Sequence, residues 1–215
     1  MPSVLPLEKV QMLLDKYQLK HARSFASKDS EALRQASISF EFPIVLKALS
    51  SEVLHKTEHG LIVLNISDEE ELKTAFERLR TQTASQGIKV GQYLVQEQKS
   101  GVELIVGGKN DESFGPTLMF GFGGVFAELL QDVAVLVCPV EEKEIHEMIR
   151  STHAGRFFSK KGFRGMKANR KSIERVLENT SRLLIENPNI QELDFNPVIA
   201  SQSQATIVDA RIITK

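Results

Sequence analysis

Four residues late in the sequence, Asp194, Asn196, Asp209 and Arg211, have the types and spacing to hold a metal and a polyphosphate. Glu192-Leu193-Asp194-Phe195-Asn196-Pro197-Val198 alternates polar and apolar, so a strand there puts Glu192, Asp194 and Asn196 on one face. In Ile207-Val208-Asp209-Ala210-Arg211-Ile212 the same period puts Ile207, Asp209 and Arg211 on one face and Val208, Ala210 and Ile212 on the other. A connection of about ten polar and small residues suits an antiparallel hairpin, which brings the four together. Hard oxygen donors beside a guanidinium suit magnesium and phosphate oxygens. Pro197 has no N–H to donate and is expected at a strand end or an edge. The same residues also read as a solvent-exposed polar strand face.

Further chemistry-bearing residues lie upstream. Lys47 closes a strand, Phe42 to Leu49, and precedes the polar loop 50–60, where it can neutralise phosphate as a point charge. His55, in that loop, is a candidate nucleophile or proton carrier, and a solvated loop histidine is the plain alternative. Val95-Gln96-Glu97-Gln98 and then Glu103 place two carboxylates on neighbouring strands, where they can accept hydrogen bonds from ribose hydroxyls; a polar hairpin surface is the alternative. Phe114 to Glu128 is both glycine-dense and apolar. Glycine there permits close backbone approach to an anion or a partner. The Gly121-x-Gly123-Gly124 spacing does not fit a dinucleotide fingerprint.

The elements that position these residues follow from periodicity. Leu7, Val10, Leu13, Leu14 and Tyr17 mark a helix within 6–18. A short helix over 29–37 has Asp29 or Ser30 as its cap. Strands are expected at 42–49 and 60–66, followed by a helix capped by Ser67 and opened by the acidic run Asp68 to Glu71. Residues 25–94 therefore read strand–loop–strand–helix. Tyr93 to Gln98 and Val102 to Gly107 read as a hairpin around Lys99-Ser100-Gly101. Strands at 118–120 and 134–140 and helices at 141–151 and 169–186 complete the pattern, with 125–130 open to either.

Composition narrows the function. The chain has 215 residues, 41% hydrophobic and 26% charged, with a formal net charge of −1, so nothing directs it to nucleic acid or an anionic membrane. The stretch from Arg156 to Arg175 carries eight cations with Phe157, Phe158 and Phe163. It reads as a face that attracts an anionic ligand or sits in water, rather than as a nucleic-acid surface. The one cysteine, Cys138, lies in an apolar run and reads as a buried small residue. No run is long enough to span a bilayer and the start lacks a basic leader, so a cytoplasmic protein is expected.

Taken in order, these segments resemble the ATP-grasp module of the ADP-forming acyl-CoA synthetases, in particular the β subunit of the acetyl-CoA enzyme, with succinyl-CoA synthetase β subunits related. The resemblance rests on Phe42 to Lys47 with Leu54-His55-Lys56-Thr57, on Val95-Gln96-Glu97 and Gly101 to Gly107, on Phe114-Gly115-Pro116 through Gly124, and on Glu192 to Pro197 with Val208 to Arg211. It implies an α+β ATP-grasp fold. Two lobes, each with a mainly antiparallel sheet and packed helices, clamp ATP: a smaller lobe over 25–94 and a larger one over 1–24 and 95–215 that carries the metal-binding strands. Lys47 would touch the phosphates, Gln96, Glu97 and Gln98 would line the adenine hinge, and Glu103 would hold the ribose. Asn196 and Asp209 would ligate Mg2+ with Asp194 nearby, and Arg211 would face the phosphates. His55 would carry phosphate on a swinging loop, and the 115–124 segment would receive a partner's phosphohistidine loop. The reaction implied is acyl-CoA + ADP + phosphate ⇌ carboxylate + ATP + CoA. It needs an α subunit with CoA-binding and phosphohistidine domains in an α2β2 assembly. A nucleotide-binding regulatory module without turnover is the alternative. Where the family commonly has paired glycines after the His-Lys loop, this chain has His59-Gly60-Leu61; a bulky Leu61 is expected to stiffen the phosphate loop or tighten the pocket.

Overall fold

The computed structural model describes residues 2–50, 60–123 and 132–215. They divide into two compact units, residues 22–98 and residues 1–21 with 99–215. The smaller unit is wider than the expected 25–94. A strand at Ser24–Ser27 pairs Ser24 with Gln96, and Arg23 binds Glu97 through both its carbonyl and its guanidinium, so the extra residues belong to the same sheet.

In the smaller unit, β2 (Ser24–Ser27), β3 (Ile44–Leu49), β4 (Ile62–Ile66) and β5 (Gln92–Glu97) form an antiparallel sheet in the order β2-β5-β3-β4. Ile44, Leu46 and Ala48 of β3 and Tyr93 and Val95 of β5 turn to one side, where α2 (Ser30–Ser37) and α3 (Glu69–Ser85) bury Leu33, Leu72, Phe76 and Leu79 against them. Asp29 caps α2 by accepting from the Glu31 amide. The cap of α3 is Asp68 rather than Ser67. Its carboxylate accepts from the Glu71 amide at 2.8 Å, while the Ser67 amide and hydroxyl both donate to the Glu71 side chain at 2.8 Å.

In the larger unit, β1 (Ser3–Val4), β6 (Val102–Asp111), β7 (Gly115–Phe122), β8 (Val133–Val137), β9 (Ile190–Ala200), β10 (Ala205–Ile207) and β11 (Ala210–Thr214) form a seven-stranded sheet. Its order is β1-β11-β9-β6-β7-β8, with β10 also on β9. α1 (Leu7–Lys16), α4 (Glu142–Ser151), a 3-10 helix His153–Phe158 that periodicity does not announce, and α5 (Arg170–Glu186) contribute to one core with the sheet. Leu104, Phe120, Phe195, Val198 and Ile212 turn to that core from the strands. Gly108 makes the close packing possible: a Cβ there would lie 2.6 Å from Leu184 of α5. Cys138 is buried as expected; burial pushes its thiol pKa up, against a hydrogen bond with Ser181. Among the described residues no helix is long and apolar enough to cross a membrane.

Three expectations fail, one because backbone edges are already occupied and two because of one irregularity in β9. Residues 93–98 and 102–107 are not a hairpin: both edges of β5 are taken by β2 and β3, and both edges of β6 by β7 and β9. Glu97 and Glu103 therefore stand in different sheets. Pro197 sits inside the interior strand β9, where a register shift opposite Leu104–Val106 removes the need for its missing N–H. The same irregularity breaks the period of two. Ile207 faces the core beside Val198, on the opposite side from Asp209 and Arg211.

Leu61 is fully buried in the core of the smaller unit and its carbonyl accepts from Ala48, so its bulk fills the interior rather than a pocket. We predict that Leu61→Ala destabilises the chain by about 2–5 kcal/mol through an uncompensated cavity. A urea melt that moves by less than 1 kcal/mol, taken here as about the scale of an ordinary surface substitution, would contradict this placement.

Candidate functional site

The late strands form one continuous ribbon. Arg211 is paired with Asp194 and Ala210 with Phe195, and the Asn196 amide donates to the Asp209 carbonyl at 3.1 Å. One step on, the Val208 amide donates to the Pro197 carbonyl at 3.0 Å, and Ile207 pairs with Val198. The register thus runs unbroken past the bulge, with Asn196 opposite Asp209. Phe195 and Ala210 pack on the core side, so the pairs on either side of them, Asp194 with Arg211 and Asn196 with Asp209, share the other face and are all half-buried. Directly opposite side chains in an antiparallel pair have Cβ atoms about 4.5–5.5 Å apart. Two carboxylates, an amide oxygen and a guanidinium are therefore gathered on a patch of sheet about 5 Å by 7 Å.

β6 keeps that surface open. Gly107 is paired with Asp194 on one side and Met119 on the other, and a Cβ at Gly107 would lie 2.8 Å from the Met119 methyl. Sequence reasoning missed Gly107; the signal was a glycine pair inside a strand, which marks a close approach. Glu103, exposed, stands on the same strand two residues before Ile105, which faces the bulge. The donor set, two carboxylates and an amide oxygen, is hard and fits magnesium. Among the described residues no group of three or more His, Cys, Asp and Glu is placed to hold a metal, so the third oxygen in this set has to be that of Asn196.

The smaller unit presents a second polar surface. Lys47 is paired with Leu94 and Val45 with Gln96, so Lys47 and Gln96 are diagonal neighbours on the sheet face away from the core. Val45, Lys47, Leu94 and Gln96 are each only 4% exposed. A buried ammonium beside a buried amide is costly unless it is partnered, which makes the pair a candidate for binding an anionic group. Glu97 is held by the Arg23 guanidinium, and Gln98 is clasped by Asn65: its oxygen accepts from the Asn65 amide at 2.7 Å and its nitrogen donates to Asn65 Oδ1 at 2.6 Å. Asn65 has φ +59°, a conformation asparagine tolerates. Arg23 and Asn65 were not legible as site residues. His55 and the Leu54-His55-Lys56-Thr57 segment lie outside the described residues, as do Gly124 to Glu128.

The family model described as ATP-grasp domain matches residues 2–214. The chain belongs to the ATP-grasp family. The fold agrees with it: this ATP-grasp chain superimposes on an acetyl-coenzyme A synthetase of Ca. Korarchaeum cryptofilum, solved with coenzyme A and Ca-AMPCP, with a TM-score of 0.91. That match has 34% identity and covers 100% of this chain and 93% of that one. The same synthetase has been solved with Mg-AMPPCP, at a TM-score of 0.83 and 35% identity over 99% of this chain and 93% of that one. Subunit beta of ADP-forming acetate–CoA ligase I from Pyrococcus furiosus is 34% identical over 176 residues, 80% of this chain and 75% of the relative. ADP-forming acetate–CoA ligase II of Archaeoglobus fulgidus is 32% identical over 94% of this ATP-grasp chain, which spans only 29% of that relative's length.

Asp209→Ala is predicted to abolish the magnesium-dependent part of thermal stabilisation by ADP, about 2.7 kcal/mol at a ligand concentration near 100 Kd, while leaving the melting transition of the free chain cooperative. Parental stabilisation by Mg-ADP in the variant would remove Asp209 from the site.

Proposed function

We propose that this chain is the nucleotide-binding β component of an ADP-forming acyl-CoA synthetase of the acetate–CoA ligase type, working in the cytoplasm where ADP, CoA and phosphate are pooled. The observation that carries the reading is the Asn196–Asp209 main-chain bond beside the Asp194–Arg211 pair, within a chain that aligns over 80% of its length with a Pyrococcus β subunit.

In this reading the chain's part is to move a phosphoryl group between a phosphohistidine and a nucleotide. The phosphorus–nitrogen bond breaks as a terminal ADP oxygen forms the new phosphorus–oxygen bond, and the histidine recovers its neutral form; the reverse direction spends ATP. Asp194, Asn196 and Asp209 would hold magnesium, which when bound offsets phosphate charge. Lys47 contributes a positive point charge and Arg211 a planar pair of donors toward the phosphate oxygens. Adenine is read at the hinge by Gln96 and by the main chain of Gln98 just past β5, because the Glu97 side chain and amide are committed to Arg23 and the Gln98 side chain to Asn65. Glu103 accepts from the ribose hydroxyls. His55 accepts the phosphoryl group from the partner's phosphohistidine and passes it on. The partner is an α subunit with CoA-binding and phosphohistidine domains, in an α2β2 assembly.

Two measurements test this. The purified chain alone should give no acyl-CoA-dependent ATP synthesis, and should gain it with a CoA-binding partner; turnover without any second polypeptide would overturn the division of labour. With the partner present, His55→Ala should keep Mg-ADP stabilisation yet lose turnover by about 10³-fold or more, the scale of losing a covalent catalyst. A His55→Ala enzyme running at the parental rate would end the carrier assignment.

A further inference from the structure

The cationic stretch that begins at Arg156 is not used by the nucleotide reading. Two of its three phenylalanines, Phe157 and Phe158, are core residues and unavailable for stacking on bases. What remains is a groove where α4 meets the 3-10 helix, lined by Arg150, Ser151, Thr152, His153, Gly155 and Arg156. Gly155 makes it possible: a Cβ there would lie 2.1 Å from the Ile149 carbonyl, so only glycine lets the 3-10 turn fold against the end of α4.

Asp132 organises one wall. Its carboxylate, 7% exposed, accepts from the His153 amide at 2.8 Å and the Ala154 amide at 3.1 Å, and its Oδ1 lies 3.0 Å from His153 Nδ1. That contact puts the ring proton on Nδ1 and leaves the Nε2 lone pair outward on a side chain that is 70% exposed. The opposite wall is cationic. The Arg156 guanidinium stacks 5.2 Å from the Phe163 ring centre, and Phe163 is braced edge-on by Phe157 at 5.5 Å. A guanidinium held by its face keeps its in-plane N–H donors for a ligand. Arg150 is exposed, and neither it nor Arg156 forms an ion pair with a carboxylate among the described residues.

We infer that this groove binds inorganic hydrogen phosphate, with Arg150 and Arg156 donating to its unprotonated oxygens and His153 Nε2 accepting from its P–OH. The acceptor is the discriminating element. Sulfate and a phosphate monoester dianion offer the same oxygens to the arginines but have no hydroxyl to give to Nε2. The inference is independent of the nucleotide site, whose proposed ligands lie on other strands.

Isothermal titration of the full chain at about pH 8 and at fixed ionic strength tests it with sodium phosphate, sodium sulfate and glycerol 2-phosphate, a monoester without a base, as separate arms. Saturable phosphate binding is expected, with sulfate and the monoester each weaker by about tenfold, the worth of one hydrogen bond to a charged group. Arg150→Gln with Arg156→Gln should weaken phosphate by about a hundredfold. His153→Ala should erase the preference of phosphate over sulfate. Mg-ADP stabilisation should be unchanged in both variants, which also reports that they fold. Equal binding of phosphate and sulfate by the parent, absence of saturation, indifference to the double arginine variant, or loss of Mg-ADP stabilisation with it would each overturn the inference.

Discussion

The candidate site depends on one irregularity in β9. A strand with neighbours on both edges normally needs every amide, and Pro197 has none to give. The chain accommodates it by letting Asn196 and Pro197 together face the single residue Ile105, while the other edge of β9 stays in register through the Asn196–Asp209 and Val208–Pro197 main-chain bonds. One edge of the strand slips and the other does not. Without the slip the alternation would carry on through 207–211 and put Ile207, Asp209 and Arg211 on one face; the break lets Ile207 stay in the core while Asp209 and Arg211 share the face of Asp194. A bulge thus converts two ordinary half-buried strands into a surface with three oxygen-bearing side chains and a guanidinium on one side.

The parts of the fold written in local chemistry were legible. The helices at 7–16, 30–37, 142–151 and 170–186 follow from apolar spacing, and Asp29 announces its own cap. The pairing of the late strands was legible too, because their polar and apolar positions alternate cleanly up to the bulge. Which strand borders which was not. Tyr93–Gln98 and Val102–Gly107 are close in sequence and joined by a turn-like Lys-Ser-Gly, yet they part into different sheets because longer-range partners claim their edges. Local pattern has no access to that competition.

The candidate site residues divide along the same line. Lys47, Asp194, Asn196, Asp209 and Arg211 are conspicuous because charged or amide groups interrupt apolar strands. Arg23 and Asn65 are not, since each acts through a partner distant in sequence: Arg23 on Glu97, Asn65 on Gln98. Gly107 lies between the two cases. Its presence in a strand is visible, but the reason, a methionine on one side and an aspartate on the other, appears only in three dimensions.

The pairing of β1 with β11 sets an order of events during synthesis. Ser3 sits opposite Thr214, and the Leu5 amide bonds to the Ile212 carbonyl, so β1 lacks its β11 partner until more than two hundred further residues have been made. The smaller unit, by contrast, is one unbroken run of chain whose four described strands are all made by residue 98. It is the part that can become native while the ribosome is still translating the rest. Pairing β1 with β11 closes the longest span among the described strand pairs, and it carries the largest loop-closure cost.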